Sequence, residues 1–518
     1  MLEDILVLSL KAAQDPSAIL PPELLAHIFL FLTSIYPLNL AADPGQELGW
    51  VYVTHVCRRW RATALSTPSL WTRLSPDMGP VWEVFIERSK AALLFIEGRF
   101  NMNNVVYAPG LLPSLHKHQD RIQELCLSKL SPPFFVQLFN RLTGPLPNLR
   151  ALAAVTCQYD FPVPRLPPDF LSSIAPNLRE LRLSGVDFPS DAVSSLLSNL
   201  ESLFFDDGPP TVRKGTASFP DIVLTLSRMT CLRTLRLVMT LLDSKLPVDA
   251  HSDDIVVLSH IEVLVIESKN DTCWHLWSRL RVPSFADVHV HSAQPSGVES
   301  LIVSTLQAHL ACSPPPNFLG MYTYSVGSRE SHNLNFRLRG GDTNDHKDPR
   351  SARGRPSLEL GICTVDAEPL CKRLLAILPL ESICDLQVTE APGISRPFER
   401  VRDLLLPLRS VTHLRLADGV TCAALEPSSI PGTEPNDKVL FPALVEIRAV
   451  SLRPTTYIAF SRVSSQIKDA LRRTLDHRNR LGANRLKLVL RRDQGWEEYV
   501  AQWYVKDEVI WVDRGDGT

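Results

Sequence analysis

One short signature recurs along most of this chain. It runs apolar, two variable residues, apolar, one variable residue, apolar. Clear copies are Ile122-Gln-Glu-Leu-Cys-Leu127, Leu178-Arg-Glu-Leu-Arg-Leu183, Leu200-Glu-Ser-Leu-Phe-Phe205, Leu232-Arg-Thr-Leu-Arg-Leu237 and Ile261-Glu-Val-Leu-Val-Ile266. Others are Phe285-Ala-Asp-Val-His-Val290, Ile383-Cys-Asp-Leu-Gln-Val388, Val411-Thr-His-Leu-Arg-Leu416 and Leu444-Val-Glu-Ile-Arg-Ala449. Weaker ones lie at Leu149-Arg-Ala-Leu152, Asn335-Phe-Arg-Leu338, Leu358-Glu-Leu360 and Leu486-Lys-Leu488. Alternation in the last three positions puts two apolar side chains on one side of a strand and the residue between them on the other.

Between the strands lie helical patterns: Asp191 to Leu197, Val298 to Leu306, Glu368 to Leu375 and Phe398 to Leu406. One strand and one helix cannot cover their own apolar face, whereas stacked copies share a continuous core. Neighbouring copies recur every roughly 22 to 33 residues, a spacing that overlaps the range of leucine-rich repeats. The array resembles that family, which implies an α/β fold: a curved solenoid over residues 76–492 with parallel strands inside and helices outside. A doubly wound α/β domain is the competing architecture. The chain departs from the family in lacking, in most copies, the Asn or Cys expected shortly after the strand. The polar Gly- and Pro-rich stretch at about 339–356 reads as a mobile loop, with shorter excursions at 206–215 and 426–438. The aromatic tail 493–518 reads as a terminal cap.

A different pattern occupies the amino-terminal region. Leu20-Pro-Pro-Glu-Leu-Leu-Ala-His-Ile-Phe-Leu-Phe-Leu32 opens with prolines tolerated in a first helical turn, and Glu23 suits the positive helix end. After an insertion at 33–50, Val53, Val56, Trp60 and Ala64 fall at helical spacing with Arg58, Arg59 and Arg61 largely off that stripe. Thr67-Pro68 stops the helix, and Leu70-Trp71 follows. Leu-Pro-x-Glu-Leu, then Val-Cys-Arg-x-Trp, then Leu-Trp, in that order, resembles the F-box. The resemblance places an F-box domain at 18–75, preceded by a short helix at 1–17.

The resemblance implies a Skp-type adaptor as partner and, through it, a cullin ligase. It implies that Leu20, Pro21, Leu24 and Ile28 face the adaptor, and that Val56, Trp60, Leu70 and Trp71 hold the module together or border that face. The expected role is substrate receptor of a Skp–cullin–F-box ubiquitin ligase, with a target protein held by the solenoid. The alternatives are a non-proteolytic F-box scaffold and a metal-dependent enzyme on the repeat array. Residues flanking the inward leucines form the candidate target face: Glu180, Arg182, Arg236, His289, His413, Arg415 and Arg448.

Hydrophobic residues make up 45% and charged residues 21% of the 518, so a sizeable core is expected. The net charge of −2 gives no electrostatic argument for nucleic acid. The ten cysteines form no CxxC pair and suit a reducing compartment, cytoplasmic or nuclear. Pro37, His27 and Asn39 interrupt the apolar run 24–42, so no membrane span is expected. Asp287, His289 and His291 share one strand face and form the sole, weak candidate for a metal. No cofactor and no catalytic residue are implied, since phosphate-loop, nucleophile-elbow and zinc-helix motifs are missing from the sequence.

Overall fold

A computed structural model describes residues 20–38, 48–79, 81–100, 108–157, 163–167, 170–187, 198–208, 218–239, 255–294, 297–325, 332–340, 357–364, 367–390, 401–416, 440–449, 460–491 and 508–512. The chain divides into two compact units, Met1–Leu232 and Arg233–Thr518.

The first unit begins with a helical module. Helix α1 (Pro22–Ile35) starts at Pro21, whose carbonyl accepts from the amides of Leu24 and Leu25 at 3.1 Å each. Leu25, Phe29 and Thr33, spaced by four, are its buried face. The stripe read as one helix from Val53 to Ala64 is broken in two, α2 (Val53–Val56) and α3 (Arg58–Ser66). Cys57 between them is extended, and its sulfur accepts from the Trp60 amide at 3.5 Å. A cap there satisfies an amide that a continuous helix would have bonded internally. The turn Pro68–Trp71 then buries Leu70 and Trp71. Trp50, at the far end of the insertion, completes an aromatic cluster: its ring is 5.0 Å from Trp71 and 6.1 Å from Phe85, and the last two are 4.9 Å apart.

Six parallel strands follow in sequence order: β1 (Arg73–Leu74), β2 (Leu94–Arg99), β3 (Ile122–Leu130), β4 (Ala151–Thr156), β5 (Glu180–Ser184) and β6 (Ser202–Asp206). Helices α4 (Val81–Ser89), α5 (Ala108–Lys117) and α6 (Pro132–Arg141) lie in the crossovers between the first four strands, as parallel pairing requires. Leu125, Leu152, Leu181 and Leu203 are aligned across β3 to β6 and fully buried, stacking one apolar row. Two asparagines sit ahead of their strands. Asn148 Nδ2 donates to the Asp120 carbonyl at 2.7 Å, and Asn177 Nδ2 to that of Pro147 at 2.8 Å. Each ties a turn to its predecessor.

In the second unit, β7 (Thr234–Met239), β9 (Val263–Ser268) and β11 (Asp287–Ser292) are parallel neighbours. A side pair, β8 (Val256–Val257) and β10 (Leu280–Arg281), stands apart from them. The order then inverts. Strands β12 (Phe318–Ser325), β13 (His332–Arg339) and β14 (Ser357–Thr364) form an antiparallel meander, and it is β14 that pairs with β11. The next strand in sequence, β15 (Asp385–Glu390), pairs with β12. Parallel order resumes through β16 (His413–Leu416), β17 (Glu446–Ala449), β18 (Lys487–Arg491) and β19 (Glu508–Val512).

The candidate copies at Asn335–Leu338 and Leu358–Leu360 are therefore strands, but members of a meander. Expected helices appear at Glu299–Ala311, Ala367–Ala376 and Val401–Leu405. Arg339, placed in a loop from sequence, ends β13. The segments 1–17, 191–197, 341–356 and 426–438 lie outside the described residues, as do 493–507 and 513–518 of the tail. No helix among the described residues is long and apolar enough to cross a membrane.

Candidate functional site

The helical module leaves a second apolar stripe of α1 uncovered. Leu24, Ile28, Phe31 and Ile35 are 49%, 44%, 74% and 60% exposed. Their spacing of four, three and four places them on one face, beside the buried Leu25–Phe29–Thr33 face. Tyr36, Tyr52 and Val56 are exposed as well. An exposed apolar face of this kind is a candidate contact surface.

The underside is held rigidly. Phe29 and Trp60 rings meet at 5.2 Å, and Arg59 Nη2 donates to the Leu20 carbonyl, fixing the start of α1. Pro21 is exposed and Leu20 half-exposed at that start. Leu70 and Trp71, expected from sequence to hold the module together or border that face, are 1% and 0% exposed. Sequence reading missed Phe31 and Ile35, though the same helical spacing carries both.

Residues 18–77 match the F-box-like family. The exposed stripe thus lies on the first helix of an F-box-like domain, a class of module that binds Skp-type adaptors. No curated protein matches the chain.

The second candidate surface is the solvent side of the sheets. Alternation holds in β5, where Leu181 and Leu183 are buried and Glu180 and Arg182 exposed, with the Arg182 guanidinium 4.4 Å above the Phe204 ring. In the second unit Arg236, His289, His413, Arg415 and Arg448 occupy the uncovered face of their strands. Arg236 pairs with Glu267 at 3.1 Å, an exposed contact contributing about 0–1 kcal/mol. Arg448 and Lys487 both reach the mostly buried Glu446, at 2.8 and 3.1 Å.

Asp287, His289 and His291 share that face but do not converge on a metal. Ser357 donates to Asp287 Oδ1 from its hydroxyl at 2.5 Å and its amide at 2.9 Å. His289 Nδ1 lies 3.4 Å from Glu359. The His291 ring covers Gly361, where an added Cβ would fall 2.1 Å from the ring. Among the described residues no group of three or more His, Cys, Asp or Glu side chains is disposed to hold a metal ion. Burial pushes the Cys273 and Cys371 thiols up to about 12 and Cys126 to about 11, so these thiols stay protonated at neutral pH.

The ionisable groups of the second unit set a pH dependence. His289, then Arg337, hold Glu359 below the ordinary 4.5 although burial opposes them. At Glu446, burial is outweighed by Lys487 and Arg448, and the net direction is again down. Burial also lowers His275 and His309 from 6.5. In each case the unfolded chain takes up its proton first, so stability rises with pH across the window. The urea midpoint is expected to hold steady above neutrality, then fall as pH drops below about 6.5 for the histidines and again below about 4.5 for the carboxylates. A midpoint that increased on acidification would contradict these pairings.

Proposed function

We propose that this chain is the substrate receptor of a Skp–cullin–F-box ubiquitin ligase, gripping the adaptor with α1 and a target protein with the repeat region. On this reading the parallel strand arrays are parts of a leucine-rich-repeat-like solenoid whose uncovered strand face meets the target. The chain would raise the effective concentration of a target lysine at a charged ubiquitin carrier and perform no bond chemistry itself.

The observation that carries this is the uncovered Leu24–Ile28–Phe31–Ile35 stripe within the F-box-like match. Covering one such side chain is worth about 1.5–3 kcal/mol, and a carboxylate in its place must be desolvated without a partner.

The Leu24→Asp, Ile28→Asp double variant is expected to lose recovery of a co-expressed Skp-type adaptor by at least about thirtyfold. Its melting temperature should stay close to that of the parent, because both residues are exposed in the unbound chain. Undiminished adaptor recovery by this variant would refute the assignment of α1. Loss of ubiquitylation of co-captured proteins in the same variant would extend the result to the receptor role.

A further inference from the structure

Where the strand order inverts, the uncovered face of the second unit changes character. Gly320 lies in register between Arg337 of β13 and Gln387 of β15, and Arg415 of β16 comes next beyond Gln387. A Cβ at Gly320 would sit 2.9 Å from the Tyr322 ring and 3.1 Å from the Phe318 ring, so two aromatic edges close over bare backbone. The guanidinium carbons of Arg339 and Arg415 stand 5.5 and 5.6 Å from the Phe318 centroid. The floor is thus two rings packed over one buried glycine, and three arginines rim it.

Among the described residues these arginines are poorly neutralised. Arg337 Nε is 3.7 Å from Glu359, a carboxylate shared with His289, and that buried Nε makes no hydrogen bond. Arg415 is 3.9 Å from Asp385, which also faces His413 at 3.5 Å. Arg339 has no carboxylate at ion-pair distance among the described residues. Among the described residues, three guanidiniums therefore face two carboxylates, each already divided with a histidine. The strain registers electrostatically: burial and then the charge of Arg337 lower the Arg339 guanidinium, with Arg415 adding to the effect.

We propose that Arg337, Arg339 and Arg415, arrayed around Phe318, Tyr322 and Gly320, form an oxyanion site that takes an acidic or phosphorylated side chain of an extended target-protein segment. Guanidinium forks match carboxylate and phosphate oxygens, and charge-assisted bonds of this kind are about twice as strong as neutral ones. The site opens onto a sheet face and wraps no ligand, so a single anion needs help from flanking residues along the Gln387–Arg415–Arg448 row. This deepens the receptor reading and rests on it.

Full-length chain with labelled peptides of one sequence, carrying glutamate, phosphoserine or serine at the central position, tests the site by fluorescence anisotropy. The glutamate and phosphoserine peptides should bind, the serine peptide at least about tenfold more weakly, and added salt should erode the difference. Arg339→Gln and, separately, Arg415→Gln should weaken both anionic peptides at least about tenfold with an unchanged melting temperature. Equal binding of all three peptides, no binding of any, or full binding by both folded variants would overturn the proposal. Adaptor recovery by Arg339→Gln, expected at the parental level, is scored separately, so failure of the receptor reading shows in that assay and not in the peptide one.

Discussion

Replacing Trp71 with alanine is expected to destabilise the F-box-like domain by about 3–5 kcal/mol, the range for emptying a buried aromatic site. The indole is fully buried and is touched from three sides: Trp50 at 5.0 Å, Phe85 at 4.9 Å and the Arg88 guanidinium at 4.3 Å. Its Nε1 also donates to the Ala64 carbonyl at 2.9 Å, near the end of α3, and truncation leaves that oxygen only the longer 3.4 Å bond from the Thr67 amide. Because Trp50 and Phe85 belong to the insertion's end and to α4, the loss spreads beyond the domain's own helices. Amide hydrogen exchange across 22–35 and 58–66 would register it, with protection falling in both helices. Trp71→Phe keeps a six-membered ring in the cluster and loses the hydrogen bond and the rest of the indole, so it should recover over half of the loss. A cost below about 1 kcal/mol for the alanine variant would mean that the cluster is not the module's core.

That cluster also shows what the sequence could and could not disclose. Leu-Pro-x-Glu-Leu and Cys-Arg-x-Trp were legible because helical periodicity and end signals are local. The break at Cys57 was not, since the stripe through Val53, Val56, Trp60 and Ala64 continues across it without a helix-breaking residue. In the sheets, every strand built on Leu-x-Leu declared itself by alternation, from β3 through β18. Alternation has the same period in parallel and antiparallel strands, however, so it says nothing about direction or neighbour order. The meander of β12 to β14 was hidden for that reason. Strand β12 itself went unread: Phe318, Gly320 and Tyr322 interrupt the leucine rhythm at the residues that build the arginine-rimmed floor. The exposed residues Phe31 and Ile35 obey the same spacing as Leu24 and Ile28, and only exposure separates them from the core positions beside them. Periodicity finds an apolar face; packing decides which of two faces is spent on the fold.

Gly49→Ala carries the second large effect, and it concerns the insertion. The chain leaves α1 at Tyr36 and returns at Trp50, whose amide donates to the Tyr36 carbonyl at 2.7 Å. Loop length alone costs little, because closure entropy grows only with the logarithm of length. The demanding step is re-entry. Gly49 has φ of +49°, and a Cβ there would fall 2.3 Å from the Pro37 carbonyl oxygen and 2.6 Å from that of Tyr36. Both obstacles are backbone, so no side-chain rotation relieves them. The left-handed conformation itself costs an alanine roughly 1–2 kcal/mol, and forced displacement of packed atoms adds about 1–3 kcal/mol. Together they predict a loss of about 2–5 kcal/mol, transmitted through Trp50 to Trp71 and Phe85. Chemical denaturation of Gly49→Ala should show this, and the Trp50→Ala, Gly49→Ala pair should be less than additive because both act on one contact. Full additivity would place the strain in the loop alone and detach the insertion from the core that positions α1.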